Sequence, residues 1–147
     1  MRVREFKDTD WDEWRRMDQA LFPDNEFEDD LEADMRALLA RPDAAVFIAE
    51  RSDGTVCGYV EVGGRAYADG CRSSPVGYIE AWYVDPDVRR SGYGRALLAA
   101  AETWARGCGY TEMASDARLD NNVSINAHEN SGYEVVDRVI QFRRALN

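Results

Sequence analysis

The stretch from Val76 to Arg106 constrains the fold more than any other in the chain. Val76 to Val84 is almost wholly apolar, rich in β-branched and aromatic residues, and stops at Asp85-Pro86. That composition predicts a strand. After an interval of Arg, Ser and Gly the apolar period lengthens, so that Leu97, Leu98, Ala101 and Trp104 share one face of a helix predicted from Gly94 to Arg106. A strand feeding through a short loop into an amphipathic helix calls for a sheet with helices packed on it.

The remaining segments extend that frame. Met1 to Phe6 alternates weakly, as a first strand does. Thr9 is suited to cap a helix whose inner face is Trp11, Trp14, Met17/Asp18 and Leu21, ending near Phe22-Pro23. A second helix is predicted from about Glu28 to Arg41, with Leu31, Met35, Leu38 and Leu39 inward and with Asp29 and Asp30 serving its positive end. Ala45 to Glu50 and Val56 to Val62 read as strands joined by a turn at Ser52-Asp53-Gly54-Thr55. Gly63-Gly64 marks a bulge or bend, and Asp69 to Pro75 a polar loop. Thr111 to Asp116 is strand-like, Asn121 to Asn130 a short helix, and Val135 to Arg143 a final strand. The predicted order is β-α-α-β-β-β-α-β-α-β. This is a mixed α/β domain of the α+β kind, with one sheet flanked by about four helices. A chain of 147 residues without linker or repeat fits a single domain spanning 1–147.

Charge and cysteine content narrow the partners. The formal net charge is −10, from 18 basic and 28 acidic residues. Such a body repels nucleic acid and attracts polycationic small molecules, although solubility alone is a sufficient reason for the charge. Cys57, Cys71 and Cys108 are odd in number and widely spaced, with neither a disulfide framework nor zinc-ligand spacing, which points to reduced thiols and no metal. No apolar run approaches the ~20 residues of a membrane span, and the charged N-terminus is unlike a secretory signal. The expected location is the cytoplasm, with no membrane partner.

Arg89-Arg90-Ser91-Gly92-Tyr93-Gly94 leaves the predicted strand and opens the predicted helix, followed at once by Arg95. Glycines let backbone turn tightly and approach a ligand, and a helix N-terminus presents unpaired N–H groups suited to phosphate. Three arginines add local positive charge to an acidic protein. The run is neither a Walker A loop nor a dinucleotide fingerprint. On these residues alone an ordinary loop with a glycine pair remains the alternative.

The succession of strand, Arg-x-x-Gly-x-Gly, long helix, strand, and Asn-containing helix closing on Gly132-Tyr133 resembles the GNAT acetyltransferase superfamily over the whole chain. The resemblance implies a GNAT fold with splayed central strands and acetyl-coenzyme A as co-substrate, its pyrophosphate on Arg89, Arg90, Ser91, Gly92, Tyr93, Gly94 and Arg95. The preceding strand would carry a bulge around Trp82, Tyr83 and Val84 whose backbone pairs with the pantetheine arm, and Asn121 and Ser124 would lie near that arm. Within the superfamily, Ser74-Pro75-Val76-Gly77, Ala114-Ser115-Asp116-Ala117 and Leu119-Asp120-Asn121 are similar to the aminoglycoside 6′-N-acetyltransferases. That likeness implies antibiotic modification by direct acetyl transfer to the 6′-amine of a polycationic aminosugar, by a homodimer in which the Tyr67 to Ser74 loop reaches the partner's pocket. The same chemistry on a polyamine or amino acid, and a non-catalytic acyl-CoA sensor, are the alternatives.

Acetylating an amine requires a neutral amine at the thioester, a route for its proton, and donors for a tetrahedral oxyanion. Glu80, within the strand, and Asp116, at the end of the next one, are the candidate acid–base and acceptor residues. A backbone N–H near Val84 is the candidate oxyanion donor. Phe22, Asp24, Glu26 and Tyr67 are candidates for the acceptor rim. Many GNAT enzymes place a tyrosine five residues before the position of Gly132 to protonate the leaving thiolate. Here that residue is Ala127, which leaves solvent or His128 for the task, and a purely structural His128 is equally open. Cys57 and Cys108 raise a covalent acyl-cysteine route, but neither sits among residues that would activate a thiol.

Overall fold

A computed structural model describes residues 1–24 and 28–147, with backbone alone at 28–30. Its strands are β1 (Arg2–Glu5), β2 (Ala44–Glu50), β3 (Val56–Arg65), β4 (Val76–Val84) and β5 (Met113–Ala114). Its helices are α1 (Trp11–Leu21), α2 (Glu28–Ala40), α3 (Tyr93–Gly107) and α4 (Asn122–Asn130). The sheet order follows the chain, β1-β2-β3-β4-β5. The first four strands pair antiparallel, and β4 with β5 is parallel, linked by the crossover through α3.

Both faces of the sheet are covered, so β2 and β3 are apolar at successive positions rather than alternate ones. Val46, Ile48 and Tyr59 turn toward α1 and α2 and pack with Trp14, Met17, Leu31 and Met35. Phe47, Ala49, Val60 and Val62 turn the other way, against Leu97, Leu98 and Ala101 of α3. Trp14, Met17, Ile48 and Leu97 are fully buried. Each such side chain contributes about 1.5–3 kcal/mol by leaving water.

Local chemistry departs from expectation at four places. Thr9 does not cap the first helix: a 3-10 turn at Asp8–Asp10 precedes α1. Asp10 there accepts from the Lys7 backbone N–H at 2.8 Å and from Arg4 at 2.7 and 2.9 Å, which holds β1 onto the helix start. Gly63 and Gly64 are not a bulge, for both stay in register with Tyr78 and Gly77. What requires glycine there is space, because a Cβ would press on the Arg41 guanidinium at Gly63 and collide with the Tyr110 hydroxyl at Gly64. The β4 bulge falls at Glu80, ahead of Trp82–Val84: Glu61 pairs with Ala81 and Val62 with Ile79, leaving Glu80 as the extra residue. Ile79 and Trp82 both pack toward α3, although residues three positions apart fall on opposite faces of a regular strand, and the bulge reconciles the two.

The largest correction is at the C-terminus. No strand forms over 135–143, and residues 134–147 are exposed without regular structure. β5 is only two residues long and gives the segment no ladder to join. Val136 packs against Gly70 of the loop after β3, yet Ile140 is 73% and Phe142 91% exposed.

Candidate active site

The site begins where β4 and β5 part. Their last shared rung is Tyr78↔Ala114, beyond which β4 runs on from Ile79 to Val84 paired, among the described strands, with β3 alone. β5 instead turns away through Ser115 and Asp116 toward α4. One edge of β4 is thereby free over its C-terminal half, and free strand edges accept extended ligands through main-chain hydrogen bonds.

Glu80 and Asp116 both lie two residues past that rung, at the opening of the fork. A chain of contacts joins them. Arg65, at the end of β3, binds Glu80 in a fork of 2.9 and 2.6 Å. Its guanidinium stacks over the Tyr78 ring at 3.5 Å. The Tyr78 hydroxyl donates to Asp116 at 2.5 Å. Burial first, and then this hydrogen bond, push the Tyr78 phenol above its ordinary value, so it remains a donor. Asp116 is exposed and Glu80 half-buried, which leaves both open to a ligand from solution.

At the far end of the free edge lies the arginine–glycine loop. The Arg90 backbone has φ 63° and that of Gly92 φ 91°, both left-handed, which suits glycine at the second position. Gly92 precedes the first turn of α3, whose Ala96 N–H bonds the Gly92 carbonyl at 3.0 Å. Arg89 donates to the Val84 carbonyl at 2.9 Å and Arg95 to the Asn130 carbonyl at 2.9 Å, while Arg90 and Ser91 are exposed. Gly94 is needed for closeness, since a Cβ would stand 3.1 Å from the Trp82 ring, whose Nε1–H donates to the Gly94 carbonyl at 3.1 Å. Tyr83 and Tyr93 pack into the protein, Tyr83 on the α1 side and Tyr93 on the α3 side.

α4 closes the fork. Asn121 precedes the helix and caps it, its side chain accepting from the Ser124 N–H at 3.1 Å, and Gly132 ends the turn with φ 92°. His128 lies edge-on to Trp82 with centroids 5.1 Å apart. Its Nδ1 is 2.7 Å from the Ser124 carbonyl, which can only accept, so Nδ1 carries a hydrogen; Nε2 meets the Ser115 hydroxyl at 2.8 Å. Both ring nitrogens are engaged within the protein, and His128 acts as a wedge between β4, β5 and α4.

Other expected site residues stand apart from this constellation. Tyr67 is 71% exposed and donates to Asp69 of its own loop at 2.9 Å. Phe22 and Asp24 are exposed past the end of α1, and Glu26 lies outside the described residues. Cys57 is buried in the core, and burial raises its thiol pKa, the wrong direction for a nucleophile. Cys108 is exposed after α3. Two site residues escaped the sequence reading. Tyr78 was legible, being two residues before Glu80 on one strand face. Arg65 was not, because the sequence does not show which residue of β3 lies opposite Val76 and so beside Tyr78 and Glu80.

Known proteins share this geometry. The profile of the Acetyltransferase (GNAT) family matches residues 5–133. An aminoglycoside N(6′)-acetyltransferase type 1 from Klebsiella aerogenes is 43% identical, over 98% of this chain and 96% of its own. The solved structure of aminoglycoside antibiotic 6′-N-acetyltransferase AAC(6′)-IG from Acinetobacter haemolyticus superposes with a TM-score of 0.91 at 32% identity, covering all of both chains. AAC(6′)-Iy, solved with the bisubstrate analog CoA-S-monomethyl-acetylneamine, superposes with a TM-score of 0.90 at 34% identity, over 99% of this chain and 98% of its own. The Arg-x-x-Gly-x-Gly loop, the forked strands and these full-length likenesses agree: the chain belongs to the GNAT acetyltransferase family, alongside the type 1 aminoglycoside N(6′)-acetyltransferases.

Proposed function

We propose that this protein transfers the acetyl group of acetyl-coenzyme A directly to the 6′-amine of an aminoglycoside. The observation that carries the reading is the pair of carboxylates, Glu80 and Asp116, two residues past the last β4–β5 rung and beside a free strand edge that leads to the arginine–glycine loop.

Each part of the chain then has a task. The backbone of Gly92 to Arg95, with Arg89 and Arg90 nearby, takes the pyrophosphate, which suits a helix start whose Gly92 presents no side chain. The free edge of β4 from Ile79 to Val84 takes the pantetheine arm as an added strand, flanked by Asn121 and Ser124, and its N–H groups face the developing oxyanion. Asp116, oriented by Tyr78, binds the acceptor ammonium and takes its proton directly or through water. Glu80 supplies the second carboxylate. Tyr67, Phe22 and Asp24 belong to the outer rim. With His128 engaged through both nitrogens, solvent protonates the departing thiolate.

The working unit in this reading is a homodimer, supported by the apolar residues left uncovered along the C-terminal segment. Val135, Val139, Ile140 and Phe142 are between 45 and 91% exposed, more apolar surface than a lone subunit ordinarily leaves in one stretch. Gly70 packs on Val136, so the Tyr67–Ser74 loop and this segment would enter the interface together. Light scattering at micromolar and at assay concentration should give twice the chain mass; a monomer at both overturns the dimer. Residence in the cytoplasm completes the reading, supported by three free thiols.

Thiol release from acetyl-coenzyme A, measured against aminoglycosides, polyamines and peptides, tests the function. Turnover should be confined to aminoglycosides bearing a 6′-amine. Turnover of a polyamine alone would keep the donor site and overturn the acceptor, and no release with any acceptor on the panel would overturn the transfer, with calorimetry of coenzyme A deciding whether the donor site stands.

A further inference from the structure

The fork already contains a cation of the protein's own. Arg65 engages both oxygens of Glu80 and lies flat on Tyr78, whose hydroxyl is committed to Asp116. Its side chain is 44% exposed and comes from the last residue of β3, where the chain leaves the sheet for the Tyr67 loop. An arginine in that position is held by charge and stacking rather than by packing. Two carboxylates and one guanidinium leave the fork with a single formal negative charge.

We propose that Arg65 sets acceptor affinity as a resident cation, which an acceptor ammonium must displace from Glu80 before the amine reaches the fork. The inference rests on the acceptor reading above. Displacement costs any acceptor the forked Arg65–Glu80 pair. A polycation recovers that cost by placing further ammonium groups against Asp116 and the acidic surface, whereas an acceptor with one amine has nothing further to place. Arg65 thus raises the KM of every acceptor, and only a molecule carrying several cations binds well despite it. Released from Glu80, the guanidinium keeps Tyr78 as a stacking platform, so its exit requires no change in the sheet.

The test compares Arg65→Gln and Arg65→Lys with the wild type, using two acceptors: neamine, with several amines, and methyl 6-amino-6-deoxyglucoside, with one. In Arg65→Gln the KM for the monoamine should fall about five- to thirtyfold, the range from a screened surface pair to a forked, partly shielded one. The KM for neamine should fall at least as far, kcat for both should stay within about twofold, and Arg65→Lys, which keeps the charge, should return both KM values toward wild type. Coenzyme A affinity, read by calorimetry, reports on folding and should not change. A rise in either KM, or a fall in kcat at unchanged KM, would make Arg65 a positioning residue for Glu80 and overturn the inference. An unchanged KM for both acceptors in an enzyme that acetylates neamine overturns it while leaving the acceptor reading intact. A wild-type protein that neither acetylates nor binds either amine overturns the acceptor reading, and this inference with it.

Discussion

Two pairs of acidic residues serve opposite ends in this molecule. Asp18 is buried and Glu61 half-buried between α1 and the sheet, where the Tyr59 hydroxyl donates to Asp18 at 2.7 Å and Trp14 Nε1–H to Glu61 at 2.9 Å. Among the described residues neither receives a cation. Burial, and then the nearness of Asp18, push Glu61 up to about 8, and burial likewise raises Asp18 against the opposing Tyr59 bond. Glu80 and Asp116 stand instead at an open fork, one facing a guanidinium and the other a phenol. The inner pair is tolerated because neutral donors satisfy protonated or partly protonated carboxyls. The outer pair is available because what holds it can be exchanged for a ligand. Residue type alone does not distinguish them; the partner and the solvent do.

The sharpest way to break the comparison is to neutralise one acid from each pair. Asp116→Asn keeps the shape of the side chain and removes its charge. Acceptor affinity should fall about ten- to a hundredfold with the lost charge-assisted bond, and turnover by roughly two further orders of magnitude if Asp116 carries the proton. The loss should shrink from pH 6 to 9 as free amine becomes abundant. Wild-type kcat/KM across that range would place Asp116 with the inner, structural acids.

An intermediate effect separates backbone strain from ligand approach. Gly92→Val should weaken coenzyme A binding more than about tenfold by calorimetry, because a β-branched side chain occupies the approach of the pyrophosphate. Gly54 has nearly the same left-handed backbone, φ 87° against 91°, and lies in the hairpin between β2 and β3. Gly54→Val therefore carries the same strain and should leave affinity unchanged. Equal affinity losses in both variants would assign the effect to strain.

The smallest effect belongs to the inner pair. Glu61 holds its proton to about pH 8 in the folded chain, whereas an unfolded glutamate loses it near ~4.3. Between those values the unfolded state binds fewer protons than the native state, so stability falls as pH rises through the window and levels off above about 8. Glu61→Gln should flatten that slope in urea unfolding at pH 5 and pH 8 and leave kcat/KM within about threefold. Parallel slopes in the two proteins would mean that Glu61 is ionised in the fold.

Most of the architecture was legible in the sequence because both sheet faces are covered by amphipathic helices, and a 3.6-residue period survives tertiary packing. The loop from Arg89 to Arg95 and the two fork carboxylates were legible through the resemblance. Three features were not. The position of the bulge depends on Ile79 and Trp82 sharing a face, which no local propensity encodes, and the register that sets Arg65 opposite Val76 is equally non-local. Thr9 does not cap α1 because it lies inside the 3-10 turn Asp8–Asp10, which Asp10 holds through Arg4 and the Lys7 N–H. The segment from Val135 to Arg143 has the alternation of a strand, but β5 is too short to pair with it. A strand pattern states what a segment can do, not whether a neighbour is present.

The product itself tests the central claim most directly. Wild-type protein, acetyl-coenzyme A and neamine should yield a single monoacetylated species, and NMR should locate the new amide on the 6′-nitrogen. Acetyl on a ring amine, a mixture of positions, or no product at saturating donor would contradict the assignment of the fork as a 6′-amine site.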